Sequence, residues 1–85
     1  MSAVYEPASG KLLSIIAAVM EADPATIDEG SSFETVLRWD SENEVALGLM
    51  LEHHYGITLS DDEMARLHSV RYVRELLASR GITDP

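Results

Sequence analysis

The chain has no cysteine, which excludes a disulfide framework, a cysteine-based metal site and a cysteine nucleophile. Any thiol chemistry must come from a group attached to it. Aromatic residues are few: one tryptophan, one phenylalanine and three tyrosines. Bases are few as well, six against fifteen acids, giving a net charge of −9. Twelve of the acids fall between Glu21 and Glu63, a stretch whose single base is Arg38. Such a surface repels phosphate backbones and anionic lipid, so no nucleic acid and no membrane is expected as a partner. A basic protein face suits it better, with plain solubility as the competing explanation of the charge. No apolar run approaches the length of a membrane span, and the opening MSAVYEPASG lacks the basic and apolar regions of a secretion signal. The expectation is a cytoplasmic protein.

What is present is enough for one small folded unit. The 85 residues are 46% apolar, too hydrophobic for a disordered chain and too short for more than one domain. The expected domain is 1–85, structured from about residue 7 to 79 between short flexible termini.

Four segments carry helical signals. The first runs from about Pro7 to Ala22, with Leu12, Ile15, Ile16, Val19 and Met20 at i, i+3, i+4, i+7 and i+8. Pro7 suits a first helical turn, and Asp23-Pro24 ends the run. The connection DPATIDEGSSFETVLRW follows, long for a compact domain, with Ile27, Phe33 and Leu37 spaced to pack it down. The second helix spans about Ser41 to Tyr55 and stops at Gly56. Ser60 and Glu63 form a capping box for a short third helix in SDDEMARL. The fourth starts at Ser69, places Val70, Val73, Leu76 and Leu77 on one face, and ends at Gly81. No stretch alternates with period two, so the fold class is all-α: three main helices and a short third one.

The second helix has two apolar faces. Leu47, Leu51 and Tyr55 make one stripe, while Val45 and Leu49 lie on another side, since successive residues turn by roughly 100°. One face therefore packs inward, and the other is either covered by the neighbouring short helix or shown to a partner; partial exposure is the expectation. Gly48 costs about 1 kcal/mol relative to alanine in mid-helix, which calls for a packing reason; close approach of the first helix is the expectation. Trp39 is expected to be buried against the bundle or the loop.

Two caps compete at the start of this helix. Ser41 and Glu44 read as a capping box, with the hydroxyl accepting from the Glu44 N–H. Asp40 is an equally good cap, and its charge suits the positive helix end. If Asp40 caps, Ser41 takes the first helical position and its hydroxyl projects outward.

Other constellations carry less. His53 and His54 are adjacent and diverge on a helix, with no histidine at i+4, so a metal role is not expected. His68 is expected to face solvent. Asp23 to Glu34 has the length of a calcium loop but offers Ala25 and Ile27 where oxygen ligands are needed. Ser41 and the histidine pair occupy opposite ends of one helix, so no nucleophile arrangement forms and the chain is expected not to be an enzyme.

From Leu12 to Leu77 the sequence resembles the acyl carrier protein family. The features that carry the resemblance are DPATID leading into a long loop, Phe33, and Asp40-Ser41 at the head of the second helix. LEHHYGITLSDDEMARLHSV then follows the family's usual run into the last helix. Trp39 before Asp-Ser is similar to small stand-alone carriers of specialised pathways. The resemblance implies a four-helix carrier bundle in which Ser41 receives a 4'-phosphopantetheine arm from coenzyme A through a Mg²⁺-dependent phosphopantetheinyl transferase. The arm's thiol would hold an acyl or aminoacyl group as a thioester. Asp40 would cap the helix near the phosphate, and Glu42, Glu44, Val45, Leu49 and Glu52 would form the face read by a loading ligase and a downstream synthase or transferase. A monomer is implied. Two positions depart from the family pattern: Glu42 replaces the usual leucine or methionine, and Arg38 replaces the usual glycine. A carboxylate at 42 points to partners outside ordinary fatty-acid synthesis. The alternative from a different class is an unmodified carrier-like interaction domain that binds through Val45 and Leu49.

Overall fold

The computed structural model describes residues 10–83. Four α-helices occur in it: α1 (Gly10–Met20), α2 (Ser41–Tyr55), α3 (Asp61–Met64) and α4 (Val70–Ser79). The expected helix start at Pro7 lies outside the described residues. Among the described residues there is no strand, only a single antiparallel bridge between Ser32 and Ser69. No helix among them is long and apolar enough to cross a membrane.

α1 ends two residues earlier than its apolar periodicity suggests. Glu21 adopts a left-handed conformation (φ 55°), its N–H donates to Ala18 O, and the Ala22 N–H donates to Ala17 O. This is a Schellman stop with glutamate at the position that glycine usually fills. A side chain in that conformation costs about 1–2 kcal/mol. Pro24 then opens a single 3-10 turn, Pro24–Thr26, capped by the Asp23 carboxylate accepting from the Ala25 N–H.

The core is one cluster. Leu12, Ile16 and Met20 of α1 meet Leu47 and Leu51 of α2 and Val70, Val73 and Leu77 of α4, all fully buried. Each such side chain contributes roughly 1.5–3 kcal/mol on leaving water. Val45, Leu49 and Met50 stay exposed, so α2 does bury one apolar face and show the other. The neighbour at Gly48 is not α1. A Cβ there would collide with the Met64 side chain and lie 3.2 Å from Leu67 Cδ1, so the glycine makes room for α3 and the residues after it.

The long connection between α1 and α2 is held differently from expectation. Ile27 is buried, but Phe33 is half-exposed and Leu37 is 96% exposed. The fastening comes instead from a seam with the α3–α4 connection. Val70 N–H donates to Ser31 O at 3.0 Å, Phe33 N–H to His68 O at 2.9 Å, and the Trp39 indole N–H to Leu67 O at 2.9 Å. Trp39 is 3% exposed, as its type suggests. Within the loop, Asp28 accepts from the Gly30 N–H and Thr35 Oγ1 from the Ser32 N–H, which tightens two local turns.

α3 carries the capping box read from sequence: Ser60 Oγ accepts from the Glu63 N–H, and Glu63 accepts from the Ser60 N–H. Arg80, just past α4, grips the same carboxylate with both terminal nitrogens (3.0 and 2.7 Å) and also donates to Thr58 O. The Arg80 guanidinium and then the Ser60 N–H hold the Glu63 carboxyl at about 2, below its ordinary 4.5.

Two outcomes follow from these contacts. Trp39→Phe leaves the Leu67 carbonyl buried without its donor and is expected to cost about 1–3 kcal/mol in urea unfolding followed by far-ultraviolet circular dichroism. A folded-state value below the unfolded one stabilises at pH above 4.5, and that stability is lost as pH falls toward 2. The gap in unfolding midpoint between wild type and Arg80→Ala should therefore narrow across that window. A gap independent of pH would mean that the Thr58 bond alone matters.

Candidate functional site

At the head of α2 the competition between caps is resolved. Asp40 is extended (φ −120°, ψ 179°) and its Oδ1 accepts from the Asn43 N–H at 2.9 Å. The Asn43 side-chain amide donates to Arg38 O at 2.7 Å, tying the first turn back to the incoming chain. Ser41 is the first helical residue and is exposed. Glu44 does not reach back to complete a box with Ser41. The site is thus a primary hydroxyl, not spent on capping, at the positive end of a fifteen-residue helix. An anion formed on that oxygen is favoured by the helix dipole and by the unpaired N–H groups of the first turn. These features fit a phosphodiester on Ser41 Oγ.

The five residues expected on an outward face separate into two groups. Glu42 is exposed, and Val45 and Leu49 are 53% and 55% exposed, with Met50 beside them. Glu44 is a correction: it is buried, and its Oε2 lies 2.8 Å from His68 Nδ1. The reason is helical phase. Position 44 precedes Leu47 by three and Leu51 by seven, so it belongs to the inward stripe. Glu52 is half-buried, and its Oε2 accepts from the Leu59 N–H at 2.8 Å, which pins the α2–α3 connection. It works chiefly inside the molecule.

His68 is half-exposed rather than simply solvent-facing. Besides Glu44 it meets Phe33, with ring centroids 5.4 Å apart. The spacing of Glu44 against Leu47 and Leu51 was a readable signal. Its partner, 24 residues away, had none. A second link that sequence reasoning missed is Arg38–Glu21, 2.9 Å, which joins the residues before Ser41 to the end of α1. His53 and His54 are exposed at the other end of α2. Among the described residues, no group of three or more histidines and carboxylates could hold a metal ion.

No protein-family model matches the chain. Individual relatives do. The acyl carrier protein of Rickettsia typhi is 32% identical over 69 residues, covering 76% of this chain and 80% of its own length. The acyl carrier protein of Rickettsia prowazekii gives the same figures. That of Thermosynechococcus vestitus is 29% identical over 70 residues, 82% of this chain and 86% of its own length. With this likeness spread over most of both chains, and on an all-helical frame, the chain belongs to the acyl carrier protein family and is a carrier, not an enzyme.

Proposed function

We propose that Ser41 is the attachment point of 4'-phosphopantetheine and that the chain carries an acyl or aminoacyl thioester between partner enzymes. The observation that supports this most directly is the capping by Asp40, which leaves the Ser41 hydroxyl outward. In the transfer, Ser41 Oγ bonds to the arm-side phosphorus of coenzyme A. The pyrophosphate P–O bond breaks, the adenosine bisphosphate leaves, and the hydroxyl proton passes to a base of the transferase. When bound, the arm supplies the thiol that a chain without cysteine lacks. Asp40 holds the helix end in register, and the dipole of α2 offsets the new negative charge.

Partner enzymes read the outward face of α2. Glu42, Val45 and Leu49 form that face, with Glu44 and Glu52 supporting the fold behind it. The partners are a phosphopantetheinyl transferase, a loading ligase and a downstream synthase or transferase, met in the cytoplasm by a monomeric carrier. Glu42 asks for a cationic or polar socket where an aliphatic residue would ask for an apolar one.

Intact mass after incubation with coenzyme A, Mg²⁺ and a broad-specificity transferase is the test. Wild type gains one phosphopantetheine. Ser41→Ala gains none and changes stability by under about 0.5 kcal/mol, because the cap lies elsewhere. Asp40→Ala loses about 0.5–2 kcal/mol. Loss of the fold in Ser41→Ala would instead make the hydroxyl a structural element and favour an unmodified interaction domain. Glu42→Leu is expected to speed modification by the generalist transferase. An unchanged rate removes Glu42 from recognition.

A further inference from the structure

Arg38 is the single lysine or arginine between Glu21 and Glu63, and it stands three residues before Ser41. Its carbonyl accepts twice, from the Asp40 N–H at 3.0 Å and from the Asn43 side-chain amide at 2.7 Å. Both donors belong to the head of α2, so the Arg38 backbone is held against the turn that begins with Ser41. Its side chain is engaged elsewhere. The guanidinium reaches Glu21 at 2.9 Å, in a pair whose two side chains are 54% and 64% exposed. Such a pair in open water is weak and readily exchanged for a better partner. Glu21 also holds it from a left-handed backbone that glycine would adopt without strain. Asp40 and Glu42 flank Ser41, so an anion placed on that hydroxyl meets two carboxylates and gains most from the one guanidinium nearby.

Resting on the reading of Ser41 as an arm's anchor, we propose that Arg38 is an exchangeable clamp, paired with Glu21 in the unloaded chain and with the phosphodiester once Ser41 is modified. Reach permits the exchange, since Cα atoms three residues apart lie within roughly 11 Å and the long arginine side chain spans much of that. Chemistry favours it. A phosphodiester shares one charge between two oxygens, which a planar guanidinium engages through two parallel N–H bonds; the compact ammonium of lysine does so less well. The exchange marks the loaded state on the surface. Glu21 loses its counter-charge on loading, so the end of α1 gains an unpaired carboxylate that the unloaded chain lacks. A partner that selects loaded carrier reads that carboxylate, whereas the transferase, which acts on the unloaded form, meets the closed pair.

The experiment loads the isotope-labelled full chain from unacylated coenzyme A, verifies the mass, and compares backbone amide and arginine Nε–H spectra before and after. On loading, the Arg38 Nε–H signal moves. The backbone amides of Glu21 and Ala22 move with it, although Glu21 lies 20 residues from the modified serine. Arg38→Gln still gains the mass but loses the shifts at Glu21 and Ala22, and Arg38→Lys restores part of them. Glu21→Gln leaves the Arg38 shift in place, because the phosphodiester is then the partner. A mass gain with an unmoved Arg38 signal overturns the clamp and leaves the anchor standing. Shifts at Glu21 that persist in Arg38→Gln do the same, since the arm itself would then be touching α1. No mass gain, in wild type and Glu42→Leu alike, overturns the anchor, and the clamp with it.

Discussion

The structure depends on a seam between two connections. Residues 31–39 are joined to residues 67–70 by Ser31 O, the Phe33 N–H and the Trp39 indole, within a bundle that is otherwise helical. Without it a seventeen-residue loop would be free to move the start of α2, since loop closure is entropically cheap but positions nothing. With it, Asp40 is presented in the extended conformation that an N-cap needs, and Ser41 follows as the first helical residue. The buried indole matters most, because its donor satisfies a carbonyl with no access to water.

The acids divide the labour in a way that net charge conceals. Asp40 caps α2, Glu44 is buried against His68, Glu52 holds the Leu59 N–H, and Glu63 is shared by a cap and Arg80. Glu42 is the one on α2 left to the surface without such an engagement among the described residues. An acidic α2 is therefore mostly a helix fastened at several points, and its chemistry toward other molecules is concentrated in Ser41, Glu42, Val45 and Leu49.

The positions of α2, α3 and α4, the stop at Gly56, the Ser60–Glu63 box and the buried face of α4 were legible because each is set by residues within one or two turns. The exposed second face of α2 was legible too, from Val45 and Leu49 falling off the Leu47–Leu51 stripe. What was not legible involves partners far apart in the chain. Phe33 and Leu37 look like loop anchors because they are apolar, yet the loop is fastened by two main-chain bonds, which carry no sequence signal, and by the Trp39 indole, whose carbonyl partner has none either. The neighbour of Gly48 was misjudged for the same reason: Met64 and Leu67 reach it only through the path of the α2–α3 connection. At the site, sequence physics left Asp40 and Ser41 as equal caps, and geometry separated them.

The seam has a consequence for how such a protein changes over generations. Of its three bonds, two use peptide groups and only one a side chain, that of Trp39. The exposed side chains of Glu34 and Leu37, which take no part in these bonds, can thus be exchanged while the address of Ser41 in space stays fixed. Diversification of the loop's outer surface is decoupled from the geometry of the attachment point, and one frame can acquire new loop chemistry without being rebuilt.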